Sequence, residues 1–234
     1  MRAERRATPK RMREILARLR RTYGRRRRRR DGTGVDTLVG TILSQNTSGA
    51  NSSAGFRRLK ERFASWDAAA DAPVREIERC IRVSGLGRLK APRIRRILRA
   101  IREERGRISI EFLRRRAPDK AYDYLRQFPG VGPKTALCVL LFSFGMPVFP
   151  VDTHIHRIAR RLGLVGPSVT AGRAHEALTP RIAPDDRYEM HVLLIAHGRQ
   201  TCRAQRPRCG ECHLLSLCPH GQRVAATSQE PAGR

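Results

Sequence analysis

The sequence is poor in acidic residues, poor in lysine and without a long hydrophobic run. Its 234 residues contain 21 Asp and Glu against 49 Lys and Arg, so the formal net charge is +28. The uncharged stretch Ala136–Val151 is too short to span a bilayer and contains Pro147 and Pro150. The pattern therefore argues against a membrane-spanning protein, and the length allows one large domain or two small ones.

The excess of positive charge implies a polyanionic partner, because each phosphate that a side chain neutralises releases condensed counterions. Nucleic acid is the expected partner, although a membrane surface would also attract the chain and GC-rich coding would also raise the arginine content. The first six residues are basic but lack the apolar segment of a secretion signal. We therefore expect an intracellular protein, in the cytoplasm or on the nucleoid.

Cysteine use indicates a metal centre. Four of the six cysteines crowd into residues 202–218 with the spacing C-x6-C-x2-C-x5-C. The four are Cys202, Cys209, Cys212 and Cys218. Such a set can enclose either an iron–sulfur cluster or tetrahedral zinc, but zinc modules usually have two C-x2-C-like pairs and this chain has one. Cys80 and Cys138 stand in apolar helical surroundings and are interpreted as core residues.

Apolar residues recur at helical spacing over residues 12–19, 94–101 and 155–162, and no stretch shows the alternation of a strand bounded by hairpin turns. Glycine- and proline-rich breakers separate short helical segments. These breakers lie at residues 32–34, 71–73, 85–87, 129–133 and 145–150. The sequence predicts an all-α fold of about ten short helices.

Two segments differ from this pattern. Arg25–Arg30 is an uninterrupted arginine run, and the repulsion of six like charges predicts a flexible loop that becomes ordered only on a polyanion. A solvated linker without a specific partner is the alternative. Residues 221–234 are polar and are predicted to form a disordered tail.

The segment Phe128–Ala136 predicts a tight hairpin between two helices. Its Gly130, Val131 and Gly132 allow a close turn that leaves backbone N–H groups pointing outward, which suits a DNA phosphate. A plain αα-hairpin is the alternative.

Lys134 stands in the first turn of the following helix, where the helix dipole disfavours a protonated amine. A neutral lysine amine can form a Schiff base and arginine cannot, so a lysine in this arginine-rich chain favours a nucleophile over a simple phosphate contact.

These residues resemble the endonuclease III branch of the helix–hairpin–helix DNA glycosylases, over roughly residues 10–220. The family places its catalytic lysine in the same Pro-Gly-Val-Gly-x-Lys context, which implies that role for Lys134. The later Val151-Asp152-Thr153-His154 is similar to the family's Val-Asp-Thr-His, which implies that Asp152 is the catalytic carboxylate. A carboxylate can stabilise positive charge on the sugar, although an Asp at this place is also a normal helix N-cap.

The resemblance also implies two residues that stabilise an extruded base. Gln45, in Leu43-Ser44-Gln45-Asn46, would fill the gap in the stack, and Leu86 would wedge into the opposite strand. Their alternatives are a helix C-cap glutamine and a turn leucine packed in the core. Residues 87–89 and the arginine run depart from the family pattern.

The 6-2-5 cysteine spacing is similar to the [4Fe–4S] loop of this family, which favours that cofactor over zinc. The implied architecture is a six-helix barrel over 33–146, a cluster domain of 1–32 with 147–220, and the tail 221–234. The implied protein is a monomer that binds damaged duplex DNA across a cleft between the domains, removes oxidised pyrimidines and nicks the strand by β-elimination. A monofunctional mismatch glycosylase and a non-catalytic DNA-binding module are the rival hypotheses.

Overall fold

The computed structural model describes residues 7–29 and 32–227. Every regular element in these residues is helical, which confirms the predicted all-α class. The chain divides into two compact units. We call Arg30–Met146 the hairpin unit, and Met1–Arg29 together with Pro147–Arg234 the cysteine unit. None of the helices that the described residues form combines the length and apolar character that a membrane span requires.

Twelve α-helices form within the described residues. In chain order they are α1 (Pro9–Tyr23), α2 (Gly34–Leu43), α3 (Gly49–Arg62), α4 (Trp66–Asp71), α5 (Val74–Ile81), α6 (Gly87–Arg105), α7 (Pro118–Arg126), α8 (Pro133–Val139), α9 (Thr153–Arg161), α10 (Ala171–Leu178), α11 (Arg187–Gln200) and α12 (Pro219–Thr227). Short 3-10 turns join several of them. The predicted breakers all fall at helix boundaries, because glycine and proline there end one helix or begin the next.

The hairpin unit is built on α6 and α8. The apolar stripe of α6 is fully buried, as its spacing predicts, and α8 is buried on almost every side. A π-helical turn, Leu140–Phe144, continues α8, and Gly145 ends it in the left-handed conformation with φ 67°. At the start of the unit, Thr33 and Asp36 form a capping box that fixes the beginning of α2. The unit contains seven α-helices in its described residues, α2 to α8, and Ser65 caps the six-residue α4.

The cysteine unit has a separate core. Helix α1 buries Met12, Ile15, Leu16 and Leu19, the residues of its predicted apolar face, in the same cluster as residues of α9 and α11. An ion pair secures this packing, because the Arg20 guanidinium lies 2.6 Å from the buried Glu189 carboxylate. Helix α1 thus packs in a core whose other helices all come after residue 146.

The tail prediction needs a correction. Residues 221–227 are helical, as part of α12, and residues 228–234 lie outside the described residues. Composition alone missed this helix because Gly221 is buried against the cysteine loop, where its N–H bonds to Cys218 Sγ at 3.3 Å. The described part of the arginine run, residues 25–29, is exposed and non-helical, with the Arg26 N–H bonded to Glu189 Oε1 at 2.9 Å. Arg30 and the first six residues lie outside the described ranges.

Candidate active site and metal centre

The predicted hairpin joins α7 to α8 in the hairpin unit. Gly130 has φ +77°, and a Cβ there would lie 2.9 Å from the Arg93 side chain, so this position requires glycine. Gly132 has φ −80° and caps α8, so it needs no special backbone freedom. Of the two glycines of this turn, only Gly130 adopts a positive φ. Val131 is 3% exposed, so its side chain packs in the core and anchors the turn.

The hairpin presents backbone donors. The Val131 N–H is used within the turn, where it bonds to Phe128 O at 3.1 Å. Among the described residues, the Gly130 and Gly132 amides meet no intramolecular acceptor. On the other side of the turn, the Arg126 guanidinium donates to Val131 O at 3.0 Å and stiffens it. The turn therefore offers two free N–H groups on a rigid support, as a phosphate contact requires.

Lys134 is the second residue of α8, directly after Pro133 at the first helical position. Its side chain is half-buried. Within the described part of the chain, its amine makes no hydrogen bond and no ion pair, so no carboxylate holds it as a charged partner. A flexible primary amine at the start of an apolar helix is thus available for chemistry.

Gln45 lies beside the hairpin, just beyond the end of α2. Its side-chain amide donates to Gly130 O at 3.1 Å and to Thr135 Oγ1 at 3.2 Å. Ser44, not Gln45, is the C-cap of α2. The cap alternative therefore fails for Gln45, whose side chain points to the hairpin turn that carries Lys134.

Leu86 stands exposed at the start of α6. It is 48% exposed and has the left-handed backbone conformation, φ 53° and ψ 32°. The alternative of a leucine packed in the core is therefore wrong. Leu89, one turn later, is 54% exposed, and these are the two large exposed apolar side chains among the described residues. Exposed leucines are costly in water, so both are available to an apolar partner such as a base stack.

Asp152 belongs to the cysteine unit, whereas Lys134 belongs to the hairpin unit. Asp152 caps α9, and its Oδ1 accepts a hydrogen bond from the Ile155 N–H at 2.8 Å. Asp152 is therefore a helix N-cap, and the capping hydrogen bond fixes one of its carboxylate oxygens. The carboxylate is half-buried and its second oxygen stays free within the described residues.

The four clustered cysteines line one cavity in the cysteine unit, and no carboxylate lies among its lining residues. Two N–H groups already point at sulfur there: Arg161 Nη1 lies 3.3 Å from Cys202 Sγ, and the Gly221 N–H lies 3.3 Å from Cys218 Sγ. Burial and the neighbouring thiolates Cys202, Cys218 and Cys209 raise the pKa of Cys212 to about 11. Thiols that disfavour each other's ionisation in this way need a cationic centre to become thiolates together.

In the described residues, no three His, Cys, Asp or Glu side chains converge closely enough to hold a single metal ion. The four thiols instead line a shared cavity, together with two histidines, His197 and His220, and with arginine and backbone N–H groups around them. This chemistry fits an iron–sulfur cluster, whose sulfurs accept hydrogen bonds from such groups. Cys138 is buried as expected, and Cys80 is half-buried.

The sequence analysis missed one buried residue of this region, Lys90. It is 1% exposed and lies four residues after Leu86. A signal was available, because only five of the 49 cationic residues are lysines and this one falls among the apolar positions of α6.

The comparisons with known proteins agree with this geometry. The model of the HhH-GPD superfamily of base excision DNA repair proteins matches residues 39–184. An Arabidopsis thaliana DNA glycosylase candidate is 39% identical over 165 residues, which are 70% of this chain and 56% of that protein. Endonuclease III of Sulfolobus acidocaldarius is 36% identical over 186 residues, which are 79% of this chain and 81% of the relative.

Among solved structures, a trapped covalent intermediate of an endonuclease III with DNA superposes with a TM-score of 0.80 at 28% identity. The match covers 93% of this chain and 99% of that one. The family model alone covers more than half of the sequence and includes the hairpin, Lys134 and Asp152. The chain therefore belongs to the HhH-GPD superfamily of base excision DNA repair proteins.

Proposed function

We propose that this protein is a base-excision DNA glycosylase with an associated lyase activity on abasic sites, and that it acts on double-stranded DNA. The observation that carries the proposal is the unpaired primary amine of Lys134 beside two free hairpin amides. A DNA-binding hairpin needs the amides alone, whereas strand cleavage through a Schiff base also needs an amine nucleophile.

The chemistry begins with extrusion of the damaged nucleotide, because its sugar carbon is not reachable inside the duplex. The Lys134 amine attacks C1′ with its lone pair, the bond between C1′ and the base breaks, and the base leaves with the electron pair. Asp152 stabilises the positive charge that builds up on the sugar and accepts the proton that the lysine loses. The C1′–O4′ bond then breaks as the nitrogen lone pair forms the C1′=N bond of a Schiff base, and O4′ takes up the proton that Asp152 had accepted. Loss of a C2′ proton expels the 3′ phosphate and nicks the strand.

Two further groups hold the DNA for this reaction. The Gly130 and Gly132 amides, with the Val131 backbone between them, bind a backbone phosphate and carry no sequence information. Gln45 fills the vacated stack and Leu86 enters the opposite strand. The 48% exposure of Leu86 and the position of Gln45 beside the hairpin support these roles. By family resemblance, oxidised or ring-saturated pyrimidines are the substrates.

Cys202, Cys209, Cys212 and Cys218 hold a [4Fe–4S] cluster in this proposal. When bound, the cluster supplies a fixed centre that orders the surrounding loop. The chain's own contribution is then the exposed Arg203, Arg206 and Arg208 of that loop, which are placed to contact phosphates.

Borohydride trapping tests the proposal directly. Wild-type protein incubated with a duplex that bears an oxidised pyrimidine or an abasic site should form a covalent protein–DNA adduct, because borohydride reduces the Schiff base. Lys134→Gln should lose both adduct and nicking while it retains DNA binding. Lys134→Arg should fail equally, since a guanidinium keeps the charge but is not an amine nucleophile. Asp152→Asn should bind normally and release the base more slowly.

The same experiment separates the rivals. Base release without any trapping by the wild type would identify a monofunctional glycosylase. Binding with neither trapping nor base release, over a broad panel of lesions, would identify a non-catalytic DNA-binding module. Lys120→Gln is the matched control, because it removes the charge of an exposed lysine on α7 without touching the hairpin.

A further inference from the structure

Lys90 is a buried cation that the proposed chemistry does not use. Its amine donates to two backbone carbonyls, Leu43 O and Ser84 O, each at 2.8 Å. No carboxylate pairs with it among the described residues, and burial lowers the pKa of the amine. Burial of an ammonium group in this way carries a large desolvation penalty, whereas an apolar side chain of the same length would fill the space without it. The lysine is therefore poorly explained by stability alone.

The two carbonyls identify what the lysine connects. Leu43 is the last residue of α2, two residues before Gln45, and Ser84 lies two residues before Leu86. The backbone of Lys90 adds a third tie, because its N–H bonds to Leu86 O at 2.9 Å. One side chain thus joins the segment that carries Gln45 to the turn that carries Leu86.

The backbone of both segments is strained. Three residues other than glycine have positive φ in the described ranges, and two of them are Asn46 and Leu86, both at φ 53°. This conformation is unfavourable for leucine, although asparagine tolerates it better, and it persists only where the surroundings impose it. The two segments also lie close to each other, since a Cβ on Gly85 would be 4.0 Å from Asn46 O. The hydrogen bonds of Lys90 join the very two segments that need such support.

We propose that Lys90 is a positioning residue for base extrusion, which holds the Gln45 segment and the Leu86 turn at a fixed separation so that both side chains engage one opened base pair. The inference rests on the function proposed above. Lys90 touches no DNA itself. It acts by keeping Gln45 and Leu86 in register, because a gap filler and a wedge work together only if both reach the same step of the stack.

The test compares Lys90→Met with Lys120→Met, so that both variants lose one positive charge and only one loses the buried hydrogen bonds. We measure single-turnover base release from one lesion in a duplex and in a single strand. Lys90→Met should release base from the duplex about tenfold more slowly and from the single strand at nearly the wild-type rate, because a single strand has little stack to open. Lys120→Met should match the wild type on both.

A double mutant supplies a second readout on the duplex alone. If Lys90 acts through the wedge, Leu86→Ala should cost little in the Lys90→Met background, because the wedge is already misplaced. Hydrogen exchange should accelerate at residues 44–47 and 84–87 and not in the rest of the hairpin unit. If Lys90→Met does not accumulate in soluble form, Lys90→Gln carries the same comparison with one hydrogen bond retained.

Equal losses on duplex and single strand, fully additive losses in the double mutant, or an unchanged duplex rate would each overturn the inference. Failure of the proposed function gives a different result: wild-type protein would then release no base from any duplex in the panel, whatever residue stands at position 90.

Discussion

The two units hold their functional segments by different means. In the hairpin unit, protein groups fix the loops: Gln45 bonds to Gly130 O and Thr135 Oγ1, and the buried Lys90 bonds to Leu43 O and Ser84 O. In the cysteine unit, residues 202–218 contain only short turns, and their four thiols line one cavity beside the apolar core. The first arrangement uses hydrogen bonds between protein groups, whereas the second brings together four thiols of the kind that hold a metal centre.

The hairpin unit can hold its loops without a cofactor, whereas the cysteine loop needs one. A loop tied by buried hydrogen bonds keeps its shape whenever the core is folded. A loop tied by thiolates gains its order only with the metal, so the free energy of binding becomes free energy of folding. Damage to the cysteine loop should therefore leave the hairpin unit intact, and damage to the hairpin unit should leave the cofactor in place.

The largest effect should follow from Cys212→Ser. Wild-type protein should be yellow-brown and carry about four irons per chain, as a [4Fe–4S] cluster requires. The variant should lose the colour and most of its solubility, because a cluster that needs four thiolate ligands then has three and no longer orders the loop. Iron analysis and the visible absorption spectrum measure the result.

Cys80→Ser is the matched control, since Cys80 lies in the hairpin unit outside the cluster and should retain all of the iron. One tightly bound zinc and no iron in the wild type would instead show that the cysteine loop is a zinc site.

A smaller effect is expected in the hairpin unit. Gln45→Ala and Leu86→Ala should each slow the processing of a lesion about tenfold in duplex DNA and much less in a single strand. Iron content should stay at the wild-type level, because neither residue belongs to the cysteine unit. Single-turnover rates on the two substrates give the comparison, and equal losses on both would show that these residues act in some other way.

The arginine run Arg25–Arg30 should matter less again. Deletion of Arg25–Arg30 should lower DNA affinity and flatten the dependence of log affinity on log salt, because each lost phosphate contact reduces the slope. Single-turnover chemistry should stay nearly unchanged. Affinity for one duplex at several salt concentrations measures the slope, and an unaltered slope would mean that these arginines contact no phosphate.

The sequence predicted those parts of the molecule that depend on local pattern. The apolar spacing of α1, α6 and α9 identified buried faces, and Asp152 before Thr153 identified a helix N-cap. The sequence failed to predict features that depend on contacts in the folded structure. Lys90 looks like one more cation until its two carbonyl partners are placed around it, and α12 looks disordered until Gly221 is packed on the cysteine loop.

The smallest effect is expected at Glu189, which protein groups alone hold in place in the cysteine unit. Burial raises the pKa of the Glu189 carboxyl, but hydrogen bonds from Arg20 and the Arg26 N–H outweigh it and hold the pKa below the ordinary value of 4.5. Glu189 therefore stabilises the folded state above that value, and this stabilisation is lost as the pH falls through the lower, folded-state pKa. Glu189→Gln should cost about 2 kcal/mol at neutral pH, or roughly 4–8 °C in Tm. The difference from the wild type should shrink as the pH is lowered below 4.5.

Glu176→Gln, at an exposed position of the same unit, should change Tm little at any pH. Thermal melts from pH 7 to pH 3, roughly the range in which carboxyl groups titrate, follow both variants. A Glu189→Gln penalty that stays constant over this range would show that the residue stabilises the unit by packing and not by its charge.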